Sequence, residues 1–321
     1  SLPGRSRSLF DGVFFPGTQY AELAGNLAIE SSDARQLSLW LWQNNKEDIS
    51  KTWTGIRGRI KAKAEVALTA SKLELQNIEY ALDGHMGKAS LAVLVNGERP
   101  IVNLRVDTET ADIDSYVPEG LAALSANGGA SWSRLIENFV NEQVKRDLRF
   151  TFQAGTLRLN GVEASDVTVD METTVKGFDL KTIEAGSVGG AKLSVSGVVL
   201  STPEGPDGEV GISLMAEDPR ELLRLTGLLP RGEDPQWSTA LGATDLKINL
   251  QAKPSESTPA TYYDFNGKIG NLTVASNGSF MLSTGLKGTG IKGVTEISSP
   301  SSATLINLLG GAIETVDVIP G

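Results

Sequence analysis

The feature of this sequence that most constrains its fold is a hydrophobic period of two that recurs over most of its length. Around Val66 and Leu68, and again around Val167 and Val169, apolar residues alternate with polar or small ones. In a strand this alternation places apolar side chains on one face and polar side chains on the other, as a half-buried antiparallel sheet requires. The sequence therefore predicts a mainly β protein. The other alternating segments contain Leu91/Val93, Val102/Leu104/Val106, Leu193/Val195, Val210/Ile212/Leu214, Leu246/Ile248/Leu250 and Leu272/Val274.

Pairs of Asn or Asp followed by Gly punctuate these segments. Such pairs accept the positive φ angles of tight two-residue turns and are a strong hairpin signal. They predict short strands joined by tight turns, as in an antiparallel meander. The pairs are Asp83-Gly84, Asn96-Gly97, Asn160-Gly161, Asp207-Gly208, Asn266-Gly267 and Asn277-Gly278.

Helices are few, and we predict three short ones, over 132–147, 219–226 and 300–309. The second begins with Asp218 as N-cap and Pro219 at the first helical position. The third repeats the proline start and the glycine stop. The first is amphipathic, and we expect its apolar stripe to pack on the sheet as a plug or lid, because an exposed stripe of this size is costly. That stripe contains Trp132, Leu135, Ile136, Phe139 and Val140.

The length of 321 residues exceeds the roughly 250 to 300 residues that one compact core serves. The segment 73–79 (LELQNIE) resembles 157–163 (LRLNGVE), which indicates an internal repeat. We therefore predict an extended, curved antiparallel sheet, groove-like and built from repeats, with a few short amphipathic helices. Its expected parts are an N-terminal β segment (1–60), a first β repeat (61–130), a linking helix with a second β repeat (131–230), and a partial third β repeat (231–321).

Charge and composition exclude several classes of function. The formal net charge is −10, so the chain repels nucleic acid, and we expect no nucleic-acid partner. The sequence has no cysteine, which excludes disulfides, iron–sulfur clusters and thiolate zinc sites. No apolar run reaches the about 18 to 20 residues that a membrane-spanning helix needs, and the first residues lack a signal-peptide pattern.

Catalytic and metal sites are poorly supported. The single histidine, His85, follows the predicted turn at Asp83-Gly84, where a triad histidine is not expected, and one histidine cannot form a multi-histidine metal site. The pairs Asp112/Asp114 and Asp166/Asp170 lack the spacing of calcium loops. The segment 288–293 matches G-x-G-x-x-G, but the strand-like VTEI follows it instead of the helix that a phosphate site needs. We therefore predict no enzyme, no catalytic residues, no metal and no cofactor.

Three segments in order resemble one family. They are 157–162 (LRLNGV), 189–197 (GGAKLSVSG) and 216–227 (AEDPRELLRLTG). A strand of the type L-x-L-N-G, a glycine-led strand and a short leucine-rich helix recur in this order in the AsmA-like proteins of Gram-negative envelopes, and the resemblance covers about 60 to 310. It implies a periplasmic protein that an N-terminal helix anchors in the inner membrane. It also implies a curved sheet with an apolar groove, as in the bridge-like lipid-transfer proteins. That anchor is missing from this sequence, so we expect the chain to be a fragment.

The resemblance implies a non-enzymatic lipid-binding or phospholipid-transfer module that supports the outer membrane. Its expected partners are phospholipid acyl chains, the inner membrane through the missing anchor, and outer-membrane components. Acyl chains need only an aliphatic wall, because hydrophobic burial is not directional. Alternation alone leaves open whether these residues line a groove or form a shared core. The predicted groove residues are Val66, Leu68, Leu91, Val93, Leu104, Val167, Val169, Leu193, Val195, Val210, Ile212 and Leu214.

Two other functions fit the same sequence. A structural or assembly factor for outer-membrane proteins would use exposed sheet edges. A glycan-acting enzyme or carbohydrate-binding protein of the β-solenoid type would stack sugars on aromatic rings such as Trp40, Trp42 and Trp53. A dry groove favours lipid transfer, a packed core with a flat exposed edge favours scaffolding, and paired carboxylates in a cleft favour a glycosidase.

Overall fold

The fold is mainly β, as predicted. Strands account for 79% of the residues that the structure describes, and helices are very few. The coordinates are a computed structural model. It describes residues 3–17, 22–34, 36–37, 58–95, 97, 99–112, 146–159, 162–203, 205–225, 241–253, 260–281 and 291–300.

Fifteen strands follow one another in sequence order in a single, mostly antiparallel sheet, with β1 (Arg7–Phe15) and β15 (Ile291–Ser298) as its end strands. The chain divides into two compact units, Ser1–Phe178 and Asp179–Gly321. The strand β9 (Gly177–Val188) begins in the first unit and continues in the second. Within the described residues, no helix is both long enough and apolar enough to cross a membrane.

The described part of the first unit contains eight complete strands. The order along the sheet equals the order along the chain because most neighbours are joined by short connections, as in a meander. Besides β1, these strands are β2 (Glu22–Ser31), β3 (Ile60–Leu68), β4 (Lys72–Leu82), β5 (His85–Leu94), β6 (Ile101–Asp112), β7 (Asp147–Leu159) and β8 (Val162–Thr174).

One pair in the first unit departs from the predicted antiparallel arrangement. The strands β6 and β7 are parallel, with Leu104 opposite Phe150. A parallel pair needs a crossover connection of a dozen residues or more, and the segment 113–146 is long enough to provide it. The start of the pair is fixed by Arg99, whose guanidinium lies 2.9 Å from the Asp147 carboxylate, while the Asp147 amide donates to the Pro100 carbonyl at 3.0 Å.

Among its described residues, the second unit contains six complete strands and one short helix. Apart from β15, its strands are β10 (Ala191–Thr202), β11 (Gly205–Ala216), β12 (Thr244–Lys253), β13 (Ala260–Ile269) and β14 (Leu272–Met281). Neighbours from β10 to β15 are antiparallel throughout. The most buried residues lie in one cross-strand row at one end of these strands: Ala191, Ala216, Thr244 and Leu272.

The second predicted helix is confirmed as α1 (Arg220–Leu225). The Asp218 carboxylate accepts a hydrogen bond from the Arg220 amide at 3.0 Å, so Asp218 caps the helix as predicted. The last residues of the first predicted helix are wrong, because Asp147 begins β7, where alternating Leu148, Phe150 and Phe152 favour a strand. The rest of that helix, with Trp132, Leu135, Ile136, Phe139 and Val140, and residues 301–309 of the third, lie outside the described residues.

The turn predictions have mixed outcomes. Asp83-Gly84 forms the predicted turn between β4 and β5, with φ angles of 53° and 92°. Three of the other pairs are wrong as turns: Asp207-Gly208, Asn266-Gly267 and Asn277-Gly278 lie inside β11, β13 and β14. At these places cross-strand pairing continues on both sides of the glycine and overrides the local turn preference. Asn96, Asn160 and Gly161 lie outside the described residues.

The two segments that indicate a repeat have different local structures. The segment 73–79 lies inside β4, whereas 157–163 spans the end of β7 and the start of β8. The similar letters therefore do not occupy equivalent places in the sheet. The division of the chain into β repeats stays a prediction.

Candidate functional site

The strand register places the predicted groove residues of each unit on a single sheet face. In the first unit, Val66 lies opposite Leu75, which lies opposite Leu91, and Leu91 lies opposite Leu104. Leu68, Val93, Val167 and Val169 lie on the same face in neighbouring rows, because opposite residues in a ladder share a face. We call this surface the apolar face of the first unit.

The five predicted groove residues of the second unit also share one face. Leu193 lies opposite Leu214, Val195 opposite Ile212, and Val210 follows on the same side of β11. Their rows continue across β12, where Leu246, Ile248 and Leu250 lie opposite Leu214, Ile212 and Val210. This surface is the apolar face of the second unit.

Most of these side chains are half-buried. Of the predicted groove residues, Val66 and Val167 are buried, at 8% and 5% exposure, and the other ten are intermediate. In β12 the alternation is regular, since every second residue from Leu246 to Ala252 is half-buried and the residues between them are exposed. Outside the buried end row of the second unit, the apolar face therefore keeps part of its surface in contact with solvent.

The opposite face of the first unit carries cross-strand ion pairs, whereas that of the second unit carries polar contacts such as Asn249 with Glu209 beside the exposed side chains of Val198 and Leu200. The Lys61 ammonium lies 2.9 Å from the Glu30 carboxylate, and the Arg149 guanidinium lies 3.2 Å from Glu172. The hydrogen bond and the positive charge of Lys61 lower the pKa of Glu30 below its ordinary value. Charged pairs of this kind belong to a solvated surface and contribute little to stability. The two faces of the sheet thus differ in chemistry.

Shallow depressions occur on the polar faces. One, of about 500 Å³, is bordered by Glu74, Arg105 and Arg149 in the first unit. Another, of about 580 Å³, is bordered in the second unit by Glu209 and Gln251 together with the exposed Val198 and Leu200. The charged side chains that border the first depression are suited to water and not to acyl chains.

Two tyrosine rings lie along the apolar faces over glycines, and sequence reasoning missed them. Tyr80 lies directly opposite Gly87, and Tyr263 lies opposite Gly278, with its hydroxyl reaching Gly293 on the next strand. A Cβ at any of these glycines would overlap the tyrosine side chain. An aromatic residue that covers a cross-strand glycine extends the apolar surface and pins the register.

Aromatic residues of β7 also belong to the apolar face of the first unit. Phe150 and Phe152 lie opposite Met171 and Val169, and their ring centroids are 6.3 Å apart. The signal for them was present in the sequence as the alternation Leu148, Phe150, Phe152. The predicted helix ended at 147, and we did not predict a strand directly after it.

Residues considered for chemistry do not form a catalytic arrangement in the described residues. His85 is half-buried at the start of β5, opposite Leu82 on the apolar face. Asp166 and Asp170 lie on β8, while Asp114, Trp40, Trp42 and Trp53 lie outside the described residues. In the part of the chain that the structure covers, no three carboxylate or imidazole groups are placed to hold a metal ion.

Comparisons with protein-family models, curated proteins and solved structures find no match for this chain.

Proposed function

We propose that this protein binds phospholipid through its acyl chains, on the apolar faces of its sheet, without catalysing a reaction. One observation supports the proposal above others. Each unit carries rows of aliphatic and aromatic side chains on one face, and most of these side chains remain half-buried. A surface of this kind gains free energy from an apolar occupant, because apolar area removed from water contributes roughly 25 cal/mol per Å².

An acyl chain fits this surface better than a compact polar ligand does. The rows consist mainly of side chains without directional groups, and each buried methylene contributes about 0.8 kcal/mol wherever it lies along the face. In the second unit the row through Val195 continues with Ile212, Ile248 and Phe265 across four strands. Such a row provides contact for a hydrocarbon chain laid across the strands.

The proposal assigns the head group a minor role. The formal net charge is −10, and cations on the polar face such as Lys61 and Arg149 are paired with carboxylates. Neither feature attracts an anionic head group. We therefore propose little head-group selectivity.

The cellular setting in this proposal comes from the resemblance to AsmA-like proteins. It consists of phospholipid transfer or outer-membrane maintenance in the periplasm of a Gram-negative envelope, with an inner-membrane anchor. Binding of acyl chains is the part that the purified chain can test.

The experiment is a photo-crosslinking scan with matched positions on the two faces. A photoreactive benzophenone amino acid replaces Val195 or Ile212 on the apolar face, and Ser194 or Ser213 on the polar face. These four positions lie on the same two paired strands, so that only the face differs. After irradiation with a radiolabelled phospholipid, we expect labelled protein from Val195 and Ile212 and background from Ser194 and Ser213.

Equal labelling of both faces, or none at any position, would refute acyl-chain binding at this surface. Labelling of the serine positions alone would place the lipid on the polar face and equally contradict the proposal. Circular dichroism of each variant checks that the sheet is retained.

A further inference from the structure

Within the residues that the structure describes, no further strand pairs with the outer edge of β1 or of β15, and both strands carry exposed apolar side chains. All nine residues of β1 are exposed, and the exposed fraction reaches 67% at Leu9. In β15, Val294 is 69% exposed. An end strand of this kind presents unpaired N–H and C=O groups along one edge and is a template for a strand of another molecule.

Each end strand also carries two opposite charges four residues apart. These are Arg7 and Asp11 on β1, and Lys292 and Glu296 on β15. Within the described residues, none of the four side chains forms an ion pair. Glu30, which lies opposite Arg7, forms its ion pair with Lys61, and Arg7 acts on Glu30 only as a weaker, more distant charge.

We propose that β1 pairs antiparallel with β15 of a second copy of this chain. The register that satisfies all four charges places Asp11 opposite Lys292 and Arg7 opposite Glu296 of the second copy. Cross-strand pairs of opposite charge stabilise a ladder and select its register. This inference concerns assembly, and it stands independently of the proposed lipid binding.

The same register also joins like surfaces. Leu9 falls opposite Val294, so the most exposed apolar side chains of the two edges cover each other. On the other side, Phe10 falls opposite Gly293, next to which the Tyr263 hydroxyl lies. This repeats the aromatic-opposite-glycine pairs within the sheet, where Tyr80 lies opposite Gly87. The apolar face of one copy therefore meets the apolar face of the next at the junction.

Symmetric pairing of like strands is the competing arrangement. Two copies of β1 centred on Leu9 would also join Arg7 to Asp11, but they would place Phe10 opposite Ser8. Two copies of β15 centred on Val294 would place Gly293 opposite Thr295. In neither arrangement does Phe10 lie beside the Tyr263 side chain that covers Gly293, so we favour the contact between unlike strands. Because this contact is heterologous, each added copy leaves one β1 and one β15 unpaired, and association continues beyond a dimer.

Disulfide trapping distinguishes these arrangements, because the native chain has no cysteine. The variants Leu9→Cys and Val294→Cys are mixed in equal amounts and oxidised mildly. Intact mass spectrometry then identifies and quantifies the disulfide-linked dimers. Directly opposite side chains are close enough for a disulfide. We expect a several-fold excess of the heterodimer over either homodimer. Val13→Cys is the matched control, since it also lies exposed on β1 but has no opposite residue in β15 in this register.

A statistical mixture of products, a majority of either homodimer, or equal trapping with Val13→Cys would overturn the proposal. A Leu9→Cys homodimer indicates pairing of β1 with itself, and a Val294→Cys homodimer indicates pairing of β15.

Charge reversal gives a second test without cysteine. Asp11→Lys and Lys292→Asp each place like charges across the junction, and we expect sedimentation velocity to show several-fold weaker self-association for both. The double variant Asp11→Lys/Lys292→Asp restores an opposite pair, and we expect it to associate as the wild type does. An effect of only one single variant, no effect of either, or failure of the double variant would contradict the contact.

Discussion

At the scale of single residues, glycine is required at two positions where the backbone of the neighbouring strand leaves no room for a Cβ. Gly197 in β10 and Gly208 in β11 have φ angles of 159° and 154°, values that side-chain-bearing residues rarely adopt. A Cβ at Gly197 would overlap the Glu209 carbonyl, and one at Gly208 would overlap the Val198 carbonyl. The two strands thus depend on glycine for both conformation and space.

This dependence predicts that Gly197→Ala destabilises the protein. We expect the free energy of unfolding to fall by about 1 to 3 kcal/mol, because alanine must adopt a strained conformation or displace the neighbouring strand. Gly211→Ala is the matched control, since the nearest atom to its added Cβ would be the Ser196 carbonyl at 3.9 Å. We expect that variant to stay within about 0.5 kcal/mol of the wild type. Urea unfolding measures both, and an equal effect of the two changes would contradict the argument.

Glycine positions also show what the sequence could not predict at this scale. Asp207-Gly208 has the letters of a tight turn, and only the ladder around it reveals a strand. At Asp83-Gly84 the same letters do form a turn, because Leu82 and His85 pair directly across it. The difference lies in the cross-strand partners, which a local pattern does not contain.

At the scale of elements, strand β4 keeps one apolar face although its hydrophobic pattern changes phase. Leu73 and Leu75 are odd-numbered, whereas Ile78, Tyr80 and Leu82 are even-numbered, yet all lie opposite apolar-face residues. A β-bulge absorbs the extra residue, with Asn77 at φ 49°. The side-chain amide of Asn77 donates a hydrogen bond to the Glu65 carboxylate at 3.0 Å, and this contact stabilises the bulge.

The alternation of β11 predicts opposite outcomes for adjacent substitutions. Ile212→Asp introduces a carboxylate between Val195 and Ile248 on the apolar face. We expect it to abolish lipid binding and to lower the free energy of unfolding by about 1 to 3 kcal/mol, since the charge loses hydration without gaining a partner. Ser213→Asp places the same group on the polar face, opposite Lys247, and we expect unchanged binding and stability.

Lipid binding and urea unfolding are measured on both variants, with circular dichroism as a check on the sheet. Unchanged lipid binding by a folded Ile212→Asp variant would contradict the assignment of the apolar face. Equal loss of binding in both variants would contradict it as well.

Elements whose partners are distant in sequence were the least predictable. Alternation identified the apolar residues of β3, β5 and β11, and cap residues identified the helix at Arg220. The parallel contact of β6 with β7 had no local signal, because it depends on the path of the intervening segment. The strand start at Asp147 was missed for a local reason. The alternation there was short, and a helical spacing preceded it.

At the scale of the whole molecule, each unit has one apolar and one polar sheet face. Among the described residues of the second unit, tight burial is found in the row that contains Ala191 and Leu272 and at Ala185 and Pro219, and not in the rows of Val195 and Val210. If the apolar side chains served only to form a core, the remaining rows would be buried to a similar degree. An apolar ligand would therefore gain most of its binding free energy by covering the half-buried rows of each unit.

This arrangement predicts how lipid binding depends on chain length and salt. Affinity for phospholipids with one head group should rise as the acyl chains lengthen, because each methylene placed on the face contributes about 0.8 kcal/mol or less. Raising the ionic strength from 0.05 to about 0.5 M should change affinity little, since hydrophobic burial is not screened whereas attraction between surface charges is. Competition against a fluorescent phospholipid, below the micelle-forming concentration, measures both. Short-chain phospholipids with neutral and anionic head groups serve as controls. An affinity that is independent of chain length, or that falls steeply with salt, would indicate binding through head groups on the polar face, where Arg105 and Arg149 lie.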